Sequence, residues 1–369
     1  MTAAPQRNSV LRSANSAVKH KVCQEFDPLP DFFETGYAGL FSISILFQEP
    51  VLKSRMNFIQ KANVSRLRPF WALSRTPHGL LDMTTPAFAA LLCLGHFPSF
   101  WVICVGMLTA FAGYTAVYAL NDVADYRVDK ERLQQDVYSS RNASADLDAA
   151  LMRHPMAQGI VSFRQGMTWA LSWAAIALIG AYLLNPFCIV FFLAGCALEM
   201  IYCFLFTISP MRTLVNGIVK TLGSLAAVYA VHPHPSFVFL LTLFFTLFLW
   251  EIGGQNIPND CGDVEEDICL NARTVPICFG TEISAYTALV TLTGAFALSF
   301  VLLHLCPAKF SFPFYAALAG AGLCLLILPA FCFYKTRKSR DAMKLFNRAS
   351  WFPPALFLIT LARIIFSAA

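Results

Sequence analysis

The stretch Pro98–Asp129 reads PSFWVICVGMLTAFAGYTAVYALNDVADYRVD, and its change of character decides the fold. From Pro98 through Leu120 there is no charged side chain. That run meets the roughly 20 residues an α-helix needs to cross a bilayer. It then turns within one residue to Asn121-Asp122-Val123-Ala124-Asp125-Tyr126-Arg127-Val128-Asp129. An apolar helix that empties into three carboxylates belongs to a membrane protein with chemistry at the edge of its spans.

The rest of the chain repeats the pattern. Of 369 residues, 57% are hydrophobic and 13% charged, against about 25% charged in a soluble domain. Nine spans are expected, near 77–95, 98–120, 165–184, 187–208, 213–231, 236–257, 283–305, 312–334 and 350–367. Proline punctuates several breaks, at Pro98, Pro186, Pro210, Pro233, Pro235 and Pro307. The expected class is an all-α polytopic membrane protein of about nine transmembrane helices, occupying residues 66–369. Residues 1–65 form a polar to amphipathic N-terminal segment, in which Gly39–Phe47 is too short to span. The first 35 residues carry no apolar core run of a cleavable signal, so the first span is expected to start insertion.

With nine spans, 25 of the 27 Lys and Arg residues fall on one side of the membrane. The positive-inside rule places that side in the cytoplasm. The net charge of +5 is too small to imply nucleic acid. Twelve cysteines contain no Cys-x-x-Cys pair, and most lie in apolar stretches as small packing residues.

The motif recurs 138 residues later, where the sixth span runs into Asn259-Asp260-Cys261-Gly262-Asp263-Val264-Glu265-Glu266-Asp267. Both copies read Asn-Asp-x-x-Asp-x-x-x-Asp. The i, i+3, i+7 spacing predicts three carboxylates on one face of a helix. Four spans separate the copies, so both end on the same, cytoplasmic side. Carboxylates crowded beside a low-dielectric bilayer repel one another, and a hard divalent cation relieves that repulsion. Mg²⁺ binds through one or two carboxylates, keeps waters, and completes its shell with substrate phosphate oxygens. The expected metal ligands and catalytic residues are therefore Asp122, Asp125, Asp129, Asp260, Asp263 and Asp267, facing each other to clamp a diphosphate.

On these residues the sequence resembles the UbiA family of intramembrane prenyltransferases. Asn121, Asp122, Asp125 and Asp129 match the family's first motif, and Asp263 and Asp267 its second, with Asp260 extending it. Arg273, Thr274 and Phe279-Gly280 look like the tail that follows. The resemblance implies a nine-helix bundle around a central cavity and two Mg²⁺ ions. It also implies transfer of a prenyl group from an isoprenyl diphosphate to a hydrophobic acceptor within the membrane lipid. One departure stands out. The family's short Arg-Thr-x-x-Arg-Pro-Leu-x-x-Gly stretch after the first motif has its nearest counterpart only at Arg153–Gly159, beyond a polar insertion at Ser139–Asp148.

Cationic partners for the diphosphate are sought in Lys220, set within the apolar fifth span, and in Arg212, Arg153 and Arg75, with Asn121 beside them. Glu251, Gln255, Asn256 and Asn259 on the sixth span, Tyr118 on the second and Asn216 one turn before Lys220 are expected at the cavity or the acceptor. Two other readings fit parts of the pattern: a cyclase on the same scaffold and a cation transporter. The position of the clusters at helix ends, away from the midplane, weighs against transport. A membrane phosphotransferase would need an Asp-Gly-x-x-Ala-Arg continuation, which the sequence lacks.

Overall fold

The computed structural model describes residues 67–134, 152 and 154–368. The expectations for the segment 1–65, for the insertion 139–148 and for Arg153 fall outside these residues. Among the described residues every regular element is helical. They run α1 (Arg68–Leu73), α2 (Thr76–Asp82), α3 (Thr84–Leu94), α4 (Phe100–Ala124), α5 (Tyr126–Gln134), α6 (Phe163–Leu184), α7 (Pro186–Phe204) and α8 (Arg212–Val231). Then follow α9 (Phe237–Trp250), α10 (Ile257–Gly262), α11 (Val264–Cys269), α12 (Val275–Leu305), α13 (Phe312–Gly322), α14 (Leu328–Thr336), α15 (Ser339–Ala349) and α16 (Phe352–Ala368).

Eight helical stretches among the described residues are long and apolar enough to cross a membrane. The first of the nine expected spans differs, because it is broken into α2 and α3 at Met83. At 1.5 Å per residue neither piece reaches across a bilayer. Proline explains the break. Pro86 has no N–H for the carbonyl of Asp82 four residues earlier, and the Thr85 hydroxyl donates to that carbonyl instead, at 2.8 Å. Thr84 Oγ1 caps the Leu81 carbonyl in the same way, at 2.6 Å.

The sixth span uses a gentler device. Between α9 and α10 the backbone winds as a π-helix over Glu251–Asn256, a form that absorbs an extra residue and recurs at functional sites. Pro258 follows, and Gln255 Nε2 donates to the carbonyl of Gly254, the acceptor Pro258 has no N–H to fill. Gly253 is needed for packing there, since a Cβ would stand 2.8 Å from the Ala288 carbonyl on α12. A second π turn, Leu323–Ile327, precedes Pro329 between α13 and α14. In α12 the helix is interrupted at Gly280, whose φ of 84° only glycine adopts without strain.

The helices pack as a bundle in which α4 lies along α6, α7 along α8, α9 along α12, and α8 also along α3 and α9. The main core joins Phe88, Leu92, Leu243, Leu292, Leu302, Leu318, Phe333 and Phe352 at or near zero exposure. Large apolar side chains such as Phe100, Trp101, Phe204, Phe237 and Phe312 point outward. An apolar exterior of this extent matches a bilayer rather than water.

Candidate active site

Each acidic motif sits where an apolar helix ends. Neither forms one unbroken helix, as the spacing suggested. The first is divided between α4 and α5 at Asp125 (φ −83°, ψ 0°), and the second between α10 and α11 at Asp263 (φ −106°, ψ 12°). The middle carboxylate of each motif therefore rides on a residue in the bridge region, where i+2 positions of turns sit. The 1–5 hydrogen bonds nevertheless run through. Asp125 N donates to Asn121 O (2.9 Å) and Asp129 N to Asp125 O (2.9 Å). Asp263 N donates to Asn259 O (3.1 Å) and Asp267 N to Asp263 O (2.9 Å). The three carboxylates thus keep the common face that the spacing requires, with an opened turn at the middle one. Asp122, Asp129, Asp260 and Asp267 are 3–4% exposed, while Asp125 and Asp263 are half-buried.

All six carboxylates line one cavity of about 580 Å³. It begins between the motifs and passes down the bundle between α3, α4, α7 and α8. Its far end is lined by Phe97, Pro98, Leu184 and Val231, at the opposite ends of the spans. The lower wall is made of small and apolar residues, among them Gly106, Ala110, Gly113, Ala226, Ala227 and Ala230. The upper part is polar. Among the described residues nine carboxyl side chains line the cavity, together with the cations Arg75, Arg212 and Lys220.

The expected residues divide by what they touch. Arg75 Nη2 lies 3.3 Å from Asp122 Oδ1 and 3.4 Å from Asn121 Oδ1. Asn121 donates in turn to Glu199 Oε1 at 2.5 Å. Lys220 does meet an anion, and that anion is Asp82 of α2, at 2.6 Å, with the Tyr118 hydroxyl at 2.5 Å. Tyr118 also donates to Asp82. Arg212 lies over the rings of Tyr202 and Phe206 at 4.3 and 4.7 Å and donates through Nη2 to the Tyr202 hydroxyl. Its Nε and Nη1 are buried with no hydrogen-bond partner. Asn216 Nδ2 donates to Glu251 Oε1 at 2.9 Å, while Glu251 Oε2 is buried and unmet.

Gln255 lines the cavity, yet its amide serves packing: it bonds the Gly254 and Phe346 carbonyls and accepts from Ser350. Asn256 lies beside Tyr202 with its Oδ1 unmet. Asn259 is exposed and reaches only its own motif's Asp263, at 3.4 Å.

Three participants are not anticipated from the sequence. Asp82 and Glu199 are single acids in apolar runs, 6% exposed each, and that isolation is the available signal. His154 places Nδ1 2.7 Å from Asp129 Oδ2. It stands within the stretch matched to the family's loop, but its pairing with the first motif has no sequence signature.

The donor set suits a hard cation. It is all oxygen and adjoins the unmet guanidinium donors of Arg212, suited to phosphate. Among the described residues no three His, Cys, Asp or Glu side chains stand together closely enough to hold a metal ion by themselves. A Mg²⁺ ion here would need phosphate oxygens and waters to complete its shell.

The family model described as the UbiA prenyltransferase family matches residues 83–353. Digeranylgeranylglyceryl phosphate synthase of Thermococcus sibiricus is 23% identical over 249 residues, 68% of this chain and 77% of that protein. The apo structure of a UbiA homologue from Aeropyrum pernix superposes with a TM-score of 0.61 at 19% identity, covering 79% of this chain and 98% of that one. A UbiA homologue from Archaeoglobus fulgidus, solved with GPP and Mg²⁺, gives 0.57 at 15% identity, covering 80% and 99%.

Proposed function

The chain belongs to the UbiA prenyltransferase family, and from that premise we propose how its cavity works. It is an integral, multi-pass membrane prenyltransferase that moves the prenyl group of an isoprenyl diphosphate to an acceptor. In our reading the donor's diphosphate lies between the two motifs, and its prenyl chain runs down the apolar wall of the cavity. The observation that carries this is the convergence of Asp122, Asp125, Asp129, Asp260, Asp263 and Asp267 on the mouth of one cavity whose lower wall is Gly- and Ala-lined.

Two Mg²⁺ ions, one per motif, would neutralise diphosphate charge as the C–O bond breaks. The A. fulgidus homologue bound to GPP and Mg²⁺ supports that choice of ion. Arg212 supplies its unmet Nε and Nη1 to the phosphate oxygens. Arg75 orients Asp122, and Asn121 is locked by Glu199, so the first motif is set before substrate arrives. Lys220, fixed by Asp82 and Tyr118, stands in the cavity wall as one half of an ion pair, a dipole rather than a free charge. Water is kept from the allylic cation by the apolar lower wall and the aromatic pair Tyr114–Tyr118, whose rings stack at 6.5 Å. The motif side is assigned to the cytoplasm from the distribution of Lys and Arg.

The test is incubation of the purified protein in lipid with radiolabelled geranyl, farnesyl and geranylgeranyl diphosphates. Diphosphate release that requires Mg²⁺ and stops with EDTA is expected. No release with any donor, beside a working homologue, overturns the proposal.

A further inference from the structure

When an allylic cation bonds to an acceptor, the acceptor is left with a proton to lose, so the reaction calls for a base close beneath the diphosphate. The six motif carboxylates are the proposed metal ligands. The Lys220 ammonium has no lone pair to offer and donates to Asp82 at 2.6 Å, and the Tyr118 hydroxyl donates to the same oxygen. Glu251 is 2% exposed, and Asn216 already occupies one of its oxygens, at 2.9 Å.

His78 of α2 is better placed. It lines the cavity, and its side chain keeps 15% exposure there. The ring stacks over Phe346 of α15 at 6.1 Å and meets Tyr118 of α4 edge-on at 6.1 Å. Tyr118 precedes Asp122 by about one helical turn, which sets His78 just below the first motif. Its Nε2 lies 3.9 Å from Asp82 Oδ1. The other oxygen of Asp82 is held by Lys220 and Tyr118, so the carboxylate behind the ring is fixed. Catalytic hydrogen bonds are often this long before substrate binds. The Nδ1 of His78 makes no hydrogen bond among the described residues. A carboxylate facing one imidazole nitrogen favours the tautomer with its proton there, which leaves the lone pair on the other.

We infer that His78 is the base that takes the acceptor's proton, with Asp82 as the positioning residue behind its ring. This deepens the prenyl-transfer reading and rests on it. The donor's C–O bond breaks and its electron pair leaves on the diphosphate. The acceptor gives a pair to the allylic carbon, and the new bond forms. The proton on the attacking group passes to the Nδ1 lone pair of His78, so charge and atoms balance. The imidazolium that results faces the Asp82 carboxylate, and it returns its proton to water once product leaves.

The experiment uses the full chain in liposomes with farnesyl or geranylgeranyl diphosphate, Mg²⁺, and one of three acceptors: 4-hydroxybenzoate, its methyl ester, or geranylgeranylglyceryl phosphate. With whichever is prenylated fastest, His78→Ala is expected to lower transfer about 10²-fold or more. Added imidazole is expected to restore part of that rate in His78→Ala and to leave the unsubstituted chain unchanged. A purely structural role would not respond to imidazole. Mg²⁺-dependent binding of an unreactive thiolodiphosphate donor analogue is expected to stay within about twofold in His78→Ala and His78→Gln. Full transfer by His78→Ala overturns the inference, as does a loss that imidazole does not relieve. Loss of analogue binding in both variants overturns it too, because His78 then serves the fold or the donor site. So does diphosphate release with transfer to none of the acceptors, since a base would have no proton to take. Absence of diphosphate release with every donor would instead remove the prenyl-transfer reading itself.

Discussion

The first motif and the second carry the same three carboxylates at the same spacing, yet they are held in different ways. In each, the outer two Asp side chains are buried and the middle one is half-buried on an opened turn. The difference lies in the leading Asn and in the helix that presents it. Asn121 is buried and ties α4 to α7 through Glu199. Asn259 is exposed and bonds within its own motif. Side chains from the connecting segments also brace the first motif, through Arg75 on Asp122 and His154 on Asp129. The helix leading to the second is shaped by backbone, through the π turn at Glu251–Asn256 and Pro258. What the copies share is the carboxylate pattern that we propose meets metal and phosphate. What they do not share is support, which each half of the bundle supplies from its own neighbours.

The largest expected effects ignore that difference. Asp122→Ala and Asp260→Ala should each lower diphosphate release on the order of 10³-fold or more, by the same mechanism. A large loss for one motif and a small one for the other, in steady-state assays, would break the symmetry. Next comes the wall between them. Asp82→Ala leaves the half-buried Lys220 ammonium with the Tyr118 hydroxyl but without its carboxylate, at a cost of about 1–3 kcal/mol. The melting temperature in detergent should fall steeply, and Lys220→Met added to it should recover much of the loss. Arg212→Lys keeps the charge and loses the planar fork, so kcat/KM is expected to drop about 10²-fold with folding intact. The smallest effects expose the asymmetry. Asn121→Ala strands Glu199 at about 1–3 kcal/mol, whereas Asn259→Ala should stay within about 0.5 kcal/mol. Equal shifts in thermal stability for the two would show that the supports are not distinct.

Much of this is legible in the amino-acid sequence. The apolar run into Asn121–Asp129, its repetition at Asn259–Asp267 and the one-sided Lys and Arg residues together give a membrane bundle with paired carboxylate motifs on one cavity. The position of Lys220 inside a span marks it as a cation needing an anion. Its partner is hidden, because Asp82 is 138 residues away and only packing of α8 against the first span joins them. The break in that first span is hidden for a different reason. Hydropathy averages over Pro86, while the helix answers to the single carbonyl that Pro86 leaves without a backbone donor. The turns opened at Asp125 and Asp263 follow the same logic, since spacing predicts which residues share a face and is silent on one ψ angle.

The central claim is that the two motifs together hold one diphosphate. Anomalous diffraction from crystals grown with Mn²⁺ in place of Mg²⁺ and an unreactive thiolodiphosphate donor tests it most directly. The account predicts two metal peaks, one against Asp122, Asp125 and Asp129 and one against Asp260, Asp263 and Asp267, with the diphosphate between them and Arg212 on its oxygens. Metal at a single motif, or a diphosphate bound away from both, would contradict it.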